Sequence, residues 1–252
     1  MFTVGVDLAA EPKKTALATI SWHAGGASLD HLQVDVDDET VIDRSRGAGS
    51  VGIDCAFGWP IEFVEFLTAH AAGQLPERDE SGLDWRRRLA YRHTDRFVRE
   101  LTGQRPLSVA TDRLGLTAMR CAELIDVFAR DDEPVDRSGA GRVVEVYPAV
   151  ALRQWEVVVR GYKTTAALRR RALEKLTARA PWFDVSDEHM RLIERSDDAF
   201  DASVSALIAR AHYLGLTHAP PPEARSAARV EGWIAVPSTS LDDLLLSGAG
   251  DS

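Results

Sequence analysis

Three short apolar runs of this chain each end on an acid: Val4-Gly-Val-Asp7, Val51-Gly-Ile-Asp54 and Val143-Val-Glu145. Runs this short, continuous and rich in valine and isoleucine suit buried strands of an α/β sheet. In an open α/β sheet, ligands gather beyond the carboxyl ends of the parallel strands, so acids at those ends converge on one site. If Asp7 and Asp54 lie on neighbouring strands, about 4.8 Å apart, their carboxylates are close enough to share or bridge a metal ion. Without a cation, two carboxylates in apolar surroundings repel and resist ionisation. Alternation does not fix the face that Glu145 occupies, and independent strand-end acids facing water or arginine are the competing reading of the set.

A second acidic group, Asp197-Asp198-Ala-Phe-Asp201, opens a helical pattern in which Asp198 and Asp201 stand three residues apart on one face. For Asp198 the competing role is to cap the helix and complement its dipole. Asp201 sits inside an Ala, Phe, Val and Leu pattern that reads as core-facing, where an unpaired carboxylate needs a reason. Four or five convergent carboxylates supply the hard oxygen ligands of two-metal phosphoryl chemistry, which holds its ions about 3.5 to 4 Å apart.

The remaining periodicity sets the element order. Phe2 to Leu8, Thr15 to Trp22 and Leu29 to Val36 read as a three-strand antiparallel meander, the last by clean alternation. A helix over 38–46 and the buried strand 51–54 follow, and residues 60 to 130 read as mostly helical. The strand over 142–148 stops at proline and leads to a helix over 149–158. Lys163 to Arg179 reads as helical, Asp184 or Ser186 caps a helix to Arg195, and Asp197 begins one running to about Leu216. Gly232 to Pro237 reads as a late edge strand. This order predicts an RNase H-like α/β fold, a mixed sheet of meander plus parallel strands flanked by helices. The expected organisation is a single domain over 2–237, with a mostly helical insertion around 60–140 and a flexible tail over 238–252.

A net charge of −9 argues against a protein that coats nucleic acid unselectively, yet the positive charge is concentrated. Residues 160–179 carry seven basic residues against Glu174, and 84–105 carry seven arginines against Asp84, Asp95 and Glu100. Arg88, Arg92, Arg96 and Arg99 form one stripe if their segment is a single helix, and such a stripe contacts phosphates; a solvated face paired with local acids is the alternative. Lys163 is a further phosphate-contact candidate, against an ordinary exposed lysine. Trp59 and Trp233 read as packing residues more than as base-stacking platforms. Cys55 and Cys121 lack C-x-x-C pairing, no basic leader precedes the first apolar residues, and no apolar run approaches the roughly 18 residues that span a bilayer. A cytoplasmic protein, neither secreted nor in the membrane, is expected. Gly47-x-Gly49-x-x-Gly52 precedes a strand and so fails as a dinucleotide fingerprint, and H-E-x-x-H and G-x-S-x-G are absent.

The segments Val-Gly-Val-Asp7, Gly-Ile-Asp54-Cys-Ala-Phe-Gly-Trp-Pro, Arg92-His-Thr-Asp95, Glu145-Val-Tyr-Pro, Asp198-Ala-Phe-Asp201-Ala and Glu231-Gly-Trp-Ile-Ala-Val-Pro together resemble the family called domain of unknown function 429, over about residues 2 to 237. Members of that family are described as predicted nucleases with an RNase H fold. The Asp198 and Asp201 pattern is also similar to the last helix of Holliday-junction resolvases, where such acids complete a metal site. The resemblance implies a Mg2+ or Mn2+ site made by Asp7, Asp54 and Asp201, with Asp198 assisting; Glu145 is a further ligand candidate. Where many RNase H-like nucleases place a glutamate on the fourth strand, this chain has the shorter Asp54. The expected activity is metal-dependent hydrolysis of nucleic-acid phosphodiesters, with Asp7, Asp54 and Asp201 catalytic and Arg88, Arg92, Arg96 and Lys163 on the nucleic acid. Alternatives are a non-cleaving metal- or nucleic-acid-binding module and an actin-like phosphotransferase; against the latter, Asp7-Leu-Ala-Ala lacks a D-x-G start and glycine-rich phosphate loops. DNA, RNA, hybrid or branched substrates, endo- or exonuclease action and oligomeric state are left open.

Overall fold

The computed structural model describes residues 1–75, 82–131 and 135–246. Strand β1 (Phe2–Asp7) pairs antiparallel with β2 (Ala16–His23), and β2 with β3 (Gly26–Val34), through a bulge at Thr19/Ile20. Gly25, at φ +78°, makes the turn between β2 and β3 in a conformation that side chains with a Cβ rarely adopt. Asp37 caps α1 (Asp38–Ser45) by accepting from the Thr40 amide, and β4 (Ser50–Asp54) returns parallel to β1. Helices α2 (Ile61–Ala71), α3 (Gly82–Ala90), α4 (His93–Thr102) and α5 (Gly115–Asp131) follow. The chain then re-enters the sheet as β5 (Val143–Glu145), parallel to β4, and continues through α6 (Pro148–Gln154) and α7 (Ala166–Arg179) to β6 (Phe183–Asp184), parallel to β3. Helices α8 (Asp187–Arg195), α9 (Asp197–Tyr213) and α10 (Arg225–Glu231) complete the order. The result is a mixed α/β fold around a six-stranded sheet ordered β5-β4-β1-β2-β3-β6.

The chain divides into two compact units. The first comprises residues 1–55, 142–218 and those from 235 onward, and holds the sheet; the second comprises 56–141 and 219–234. The helical region expected around 60–140 falls in the second unit, which also draws in the later segment bearing α10.

Within the first unit α9 is buried on all sides from Ala199 to Ala211, as its apolar composition demands, and it crosses the sheet at two glycines. A Cβ on Gly5 would stand 2.1 Å from the Ala206 nitrogen and 2.2 Å from the Ala202 carbonyl oxygen; one on Gly52 would stand 2.7 Å from the Ser205 carbonyl oxygen. The glycines of the two V-G-x-D runs thus let a helix backbone lie directly on β1 and β4. Thr3 Oγ1 fastens the contact by donating to the Ala206 carbonyl at 2.9 Å, and it accepts from Trp22 Nε1. Phe200, Leu207 and Ile208 fill the same layer, each fully buried and each contributing roughly 1.5–3 kcal/mol of hydrophobic stabilisation.

Four expectations change, and one strand was not foreseen. The helix expected over 149–158 closes at Gln154 as α6. The helix expected from Lys163 begins at Ala166, because Thr165 caps it by accepting from the Leu168 amide, which leaves Gly161 to Thr164 as a turn. Residues 232–237 do not form an edge strand: Thr217 and Pro237 make an isolated bridge, and the Ala235 amide donates to the Glu145 carbonyl. β6 escaped sequence reading because two residues carry no periodicity. Residues 238–246 are not a loose tail, for Leu241 and Leu244 are buried and Arg210 donates to the Leu244 and Leu246 carbonyls; 247–252 lie outside the described residues.

Candidate functional site

Parallel pairing of β1 with β4 places Asp7 opposite Asp54, each the last residue of its strand. Strand spacing sets their backbones about 4.8 Å apart. Asp201 enters from the first turns of α9, whose start Ser196 caps by accepting from the Ala199 amide. Because the glycine contacts press α9 onto these strands, Asp201 is fully enclosed, whereas Asp7 and Asp54 keep some exposure at the strand ends.

Their electrostatics bind the three into one group. Burial raises Asp7 well above the usual carboxylate range, and the charges of Asp201 and Asp54 raise it further against the pull of Lys163. Asp54 is pushed up to about 8, chiefly by burial and then by Asp201, with Lys163 opposing and Glu145 adding to the rise. Burial also raises Asp201, while the charge and hydrogen bond of Lys163 and the hydrogen bond of Tyr162 hold it down. Such mutual repulsion in a desolvated group calls for a cation.

One cation is supplied by the chain. Lys163 Nζ stands 2.5 Å from Asp201 Oδ2, and the Tyr162 hydroxyl donates to Asp201 Oδ1 at 2.8 Å. Burial would lower the Lys163 ammonium, but the charges of Asp201, Asp7 and Asp54 outweigh it and raise its pKa. Burial, then Asp201, pushes the Tyr162 phenol well above its ordinary value, so it stays a donor. The turn bearing both residues is held by the buried Arg169, whose Nη1 donates to the Tyr162 and Lys163 carbonyls while Nε and Nη2 donate to those of Glu194 and Arg195. That guanidinium ties the lysine turn to the chain just ahead of the α9 cap.

Asp198 and Glu145 lie at the margin. Asp198 is raised by burial and by Asp197 and Asp201, and accepts weakly from Ser196 Oγ at 3.4 Å. Glu145 is buried but registers beside Ile53, one residue short of Asp54.

The arginine stripe does not form, because the chain leaves its helix between Ala90 and His93. Arg88 lies in the last turn of α3 and pairs with Glu62, and Arg96 lies on α4. Arg92 is a correction to the phosphate-contact reading: it is 3% exposed, its guanidinium grips Asp95 at 2.9 Å, and it donates to the Glu231 carbonyl at 3.0 Å. Glu231, itself buried, accepts from the amides of Ile61 and His93 and lies 3.0 Å from His93 Nδ1. The segments around Ile61, Arg92 and Glu231 are therefore parts of one polar knot within the second unit. Lys163, also read as a phosphate contact, is engaged with Asp201 instead. Tyr162 and Arg169 carried no sequence signal for these roles, since their partners lie 39 and 25 residues away.

The donor set of Asp7, Asp54 and Asp201 is all hard oxygen and suits Mg2+ or Mn2+. As they stand, no three His, Cys, Asp or Glu side chains among the described residues are arranged to hold an ion, and the ammonium of Lys163 provides the local positive charge. Among the described residues no helix is long and apolar enough to cross a membrane.

No curated protein and no solved structure matches the chain. The model of the family described as Protein of unknown function (DUF429) matches residues 5–225, so the acids of β1, β4 and α9 and the Lys163 turn all fall within the match, and the chain belongs to that family.

Proposed function

We propose that this protein is an RNase H-like, metal-dependent nuclease that hydrolyses phosphodiester bonds of nucleic acid at the Asp7, Asp54 and Asp201 site. The observation that carries the reading is the register of Asp7 with Asp54 beneath the buried Asp201, a cluster of carboxylates kept together at a cost in repulsion. The meander followed by parallel strands supports the fold assignment, by analogy of element order.

Asp7, Asp54 and Asp201 would hold Mg2+ or Mn2+, with Asp198 and Glu145 near enough to add negative charge. Bound there, the ion would supply a lowered pKa for water and stabilisation of charge on the phosphoryl oxygens. The chain's own residues orient and exclude: Tyr162 fixes one Asp201 oxygen, α9 covers Asp201, and the half-buried Asp7 and Asp54 are the central acids that a substrate would reach. Arg88 and Arg96 remain candidates for phosphate contact, whereas Arg92 does not.

A non-cleaving module is favoured by one observation: Lys163 already compensates part of the acidic charge without a metal. Incubation of the protein and its Asp54→Asn variant with Mg2+ or Mn2+ and labelled single-stranded, duplex, hybrid and branched DNA and RNA separates the readings. Cleavage by the parent that disappears in the variant and with chelator is the expected result. Metal binding without cleavage of any substrate selects the module.

A further inference from the structure

Lys163 is placed as part of the acidic site and not as a neighbour of it. Its ammonium touches Asp201 and bears electrostatically on Asp7 and Asp54 as well. Its backbone is immobilised: the Thr164 amide and hydroxyl donate to the Gly161 carbonyl, Thr165 caps the helix that follows, and Arg169 binds the carbonyls of Tyr162 and Lys163. Five hydrogen bonds thus hold the turn that carries the ammonium. Its side chain is still 50% exposed, so solvent reaches the flexible stem while the charged end is committed.

The occupancy of Asp201 gives this arrangement its meaning. Its Oδ2 is engaged by the Lys163 ammonium and its Oδ1 by the Tyr162 hydroxyl, so Asp7 and Asp54, in register on neighbouring strands, are the central carboxylates left to coordinate, and such a pair suits one shared divalent ion. Asp198 is partly solvated and Glu145 is offset along its strand, so neither is placed as a close ligand for a second ion.

We propose that Lys163 is a built-in cation of the carboxylate site, standing in place of a second metal, so that each chain takes up a single divalent ion. The inference rests on the metal-site reading above and deepens it. Lys163 holds Asp201 by charge while Tyr162 fixes its other oxygen, and the remaining coordination falls to Asp7 and Asp54.

Calorimetric titration with Mn2+ alone, on the full chain and on its Lys163→Gln variant, tests this. The parent is expected to bind a single ion. The variant, lacking the ammonium, is expected to bind a second ion, or to bind the first roughly tenfold or more tightly, since an adjacent like charge has been removed. In chelator the variant should melt below the parent and recover more on adding Mn2+. Two ions on the parent overturn the proposal even if the variant fails to fold, and so does a variant with the parent's count and affinity. No binding by either protein fails the metal-site reading itself and the proposal with it, an outcome distinct from unchanged binding.

Discussion

Asp54 carries a pH signature that separates a burdened carboxylate from an ordinary one. In the folded chain it retains its proton up to about pH 8, whereas the unfolded chain releases it near 3.8. Between those values the unfolded state binds fewer protons, so stability falls as pH rises through the window. Metal-free protein in chelator, unfolded with denaturant at pH 5 and pH 8, should therefore be weaker at pH 8, and Asp54→Asn should flatten the difference. An unchanged slope in the variant would place the repulsion elsewhere. Asp7, Asp54 and Asp201 were legible in the sequence because each closes an apolar run or sits inside one. The partners of Asp201 were not, because an isolated Gly161-Tyr162-Lys163 reads the same whether it faces water or a carboxylate 38 positions on.

At the scale of elements, the crossing of α9 over β1 and β4 decides whether three acids meet. Gly5→Ala would drive a methyl group into the helix backbone at Ala202 and Ala206, which cannot rotate away as a side chain can. The expected cost is about 1–3 kcal/mol or more, as in overpacked cores, read as a lowered denaturation midpoint, and Mn2+ affinity should fall with it as Asp201 is displaced. Strand and helix order was readable from periodicity, and the strand-end acids from their position. The glycines passed as features of strand composition, because close approach of a distant helix leaves no local mark. The arginine stripe failed for a related reason: spacing at four, four and three assumes one unbroken helix, and the chain turns at Tyr91 and Arg92 to send Arg92 inward to Asp95.

For the molecule as a whole, the two units are each assembled from separated stretches of chain. The second depends on Glu231, which reaches back 138 positions to His93 and 170 to Ile61. Removing this buried acceptor by Glu231→Ala strands two amides and should cost on the order of 3 kcal/mol. Hydrogen exchange at the Ile61 and His93 amides should accelerate in that variant; protection that persists would mean another acceptor takes over. Sequence reading found the helical content of this unit but not its closing segment, since nothing around residues 219–234 declares partners so far upstream.

The anchoring of Arg210 by the carbonyls of Leu244 and Leu246 has a bearing on biosynthesis. A ribosome delivers β1, β4 and the acids of α9 long before the turn that covers the far end of that helix. Until residues 241–246 emerge, α9 has its charged end in place but lacks its last buried leucines and two acceptors for a guanidinium. Covering of the far end of α9 is thereby left to chain made after the helix itself, once residues 219–234 of the second unit have been made.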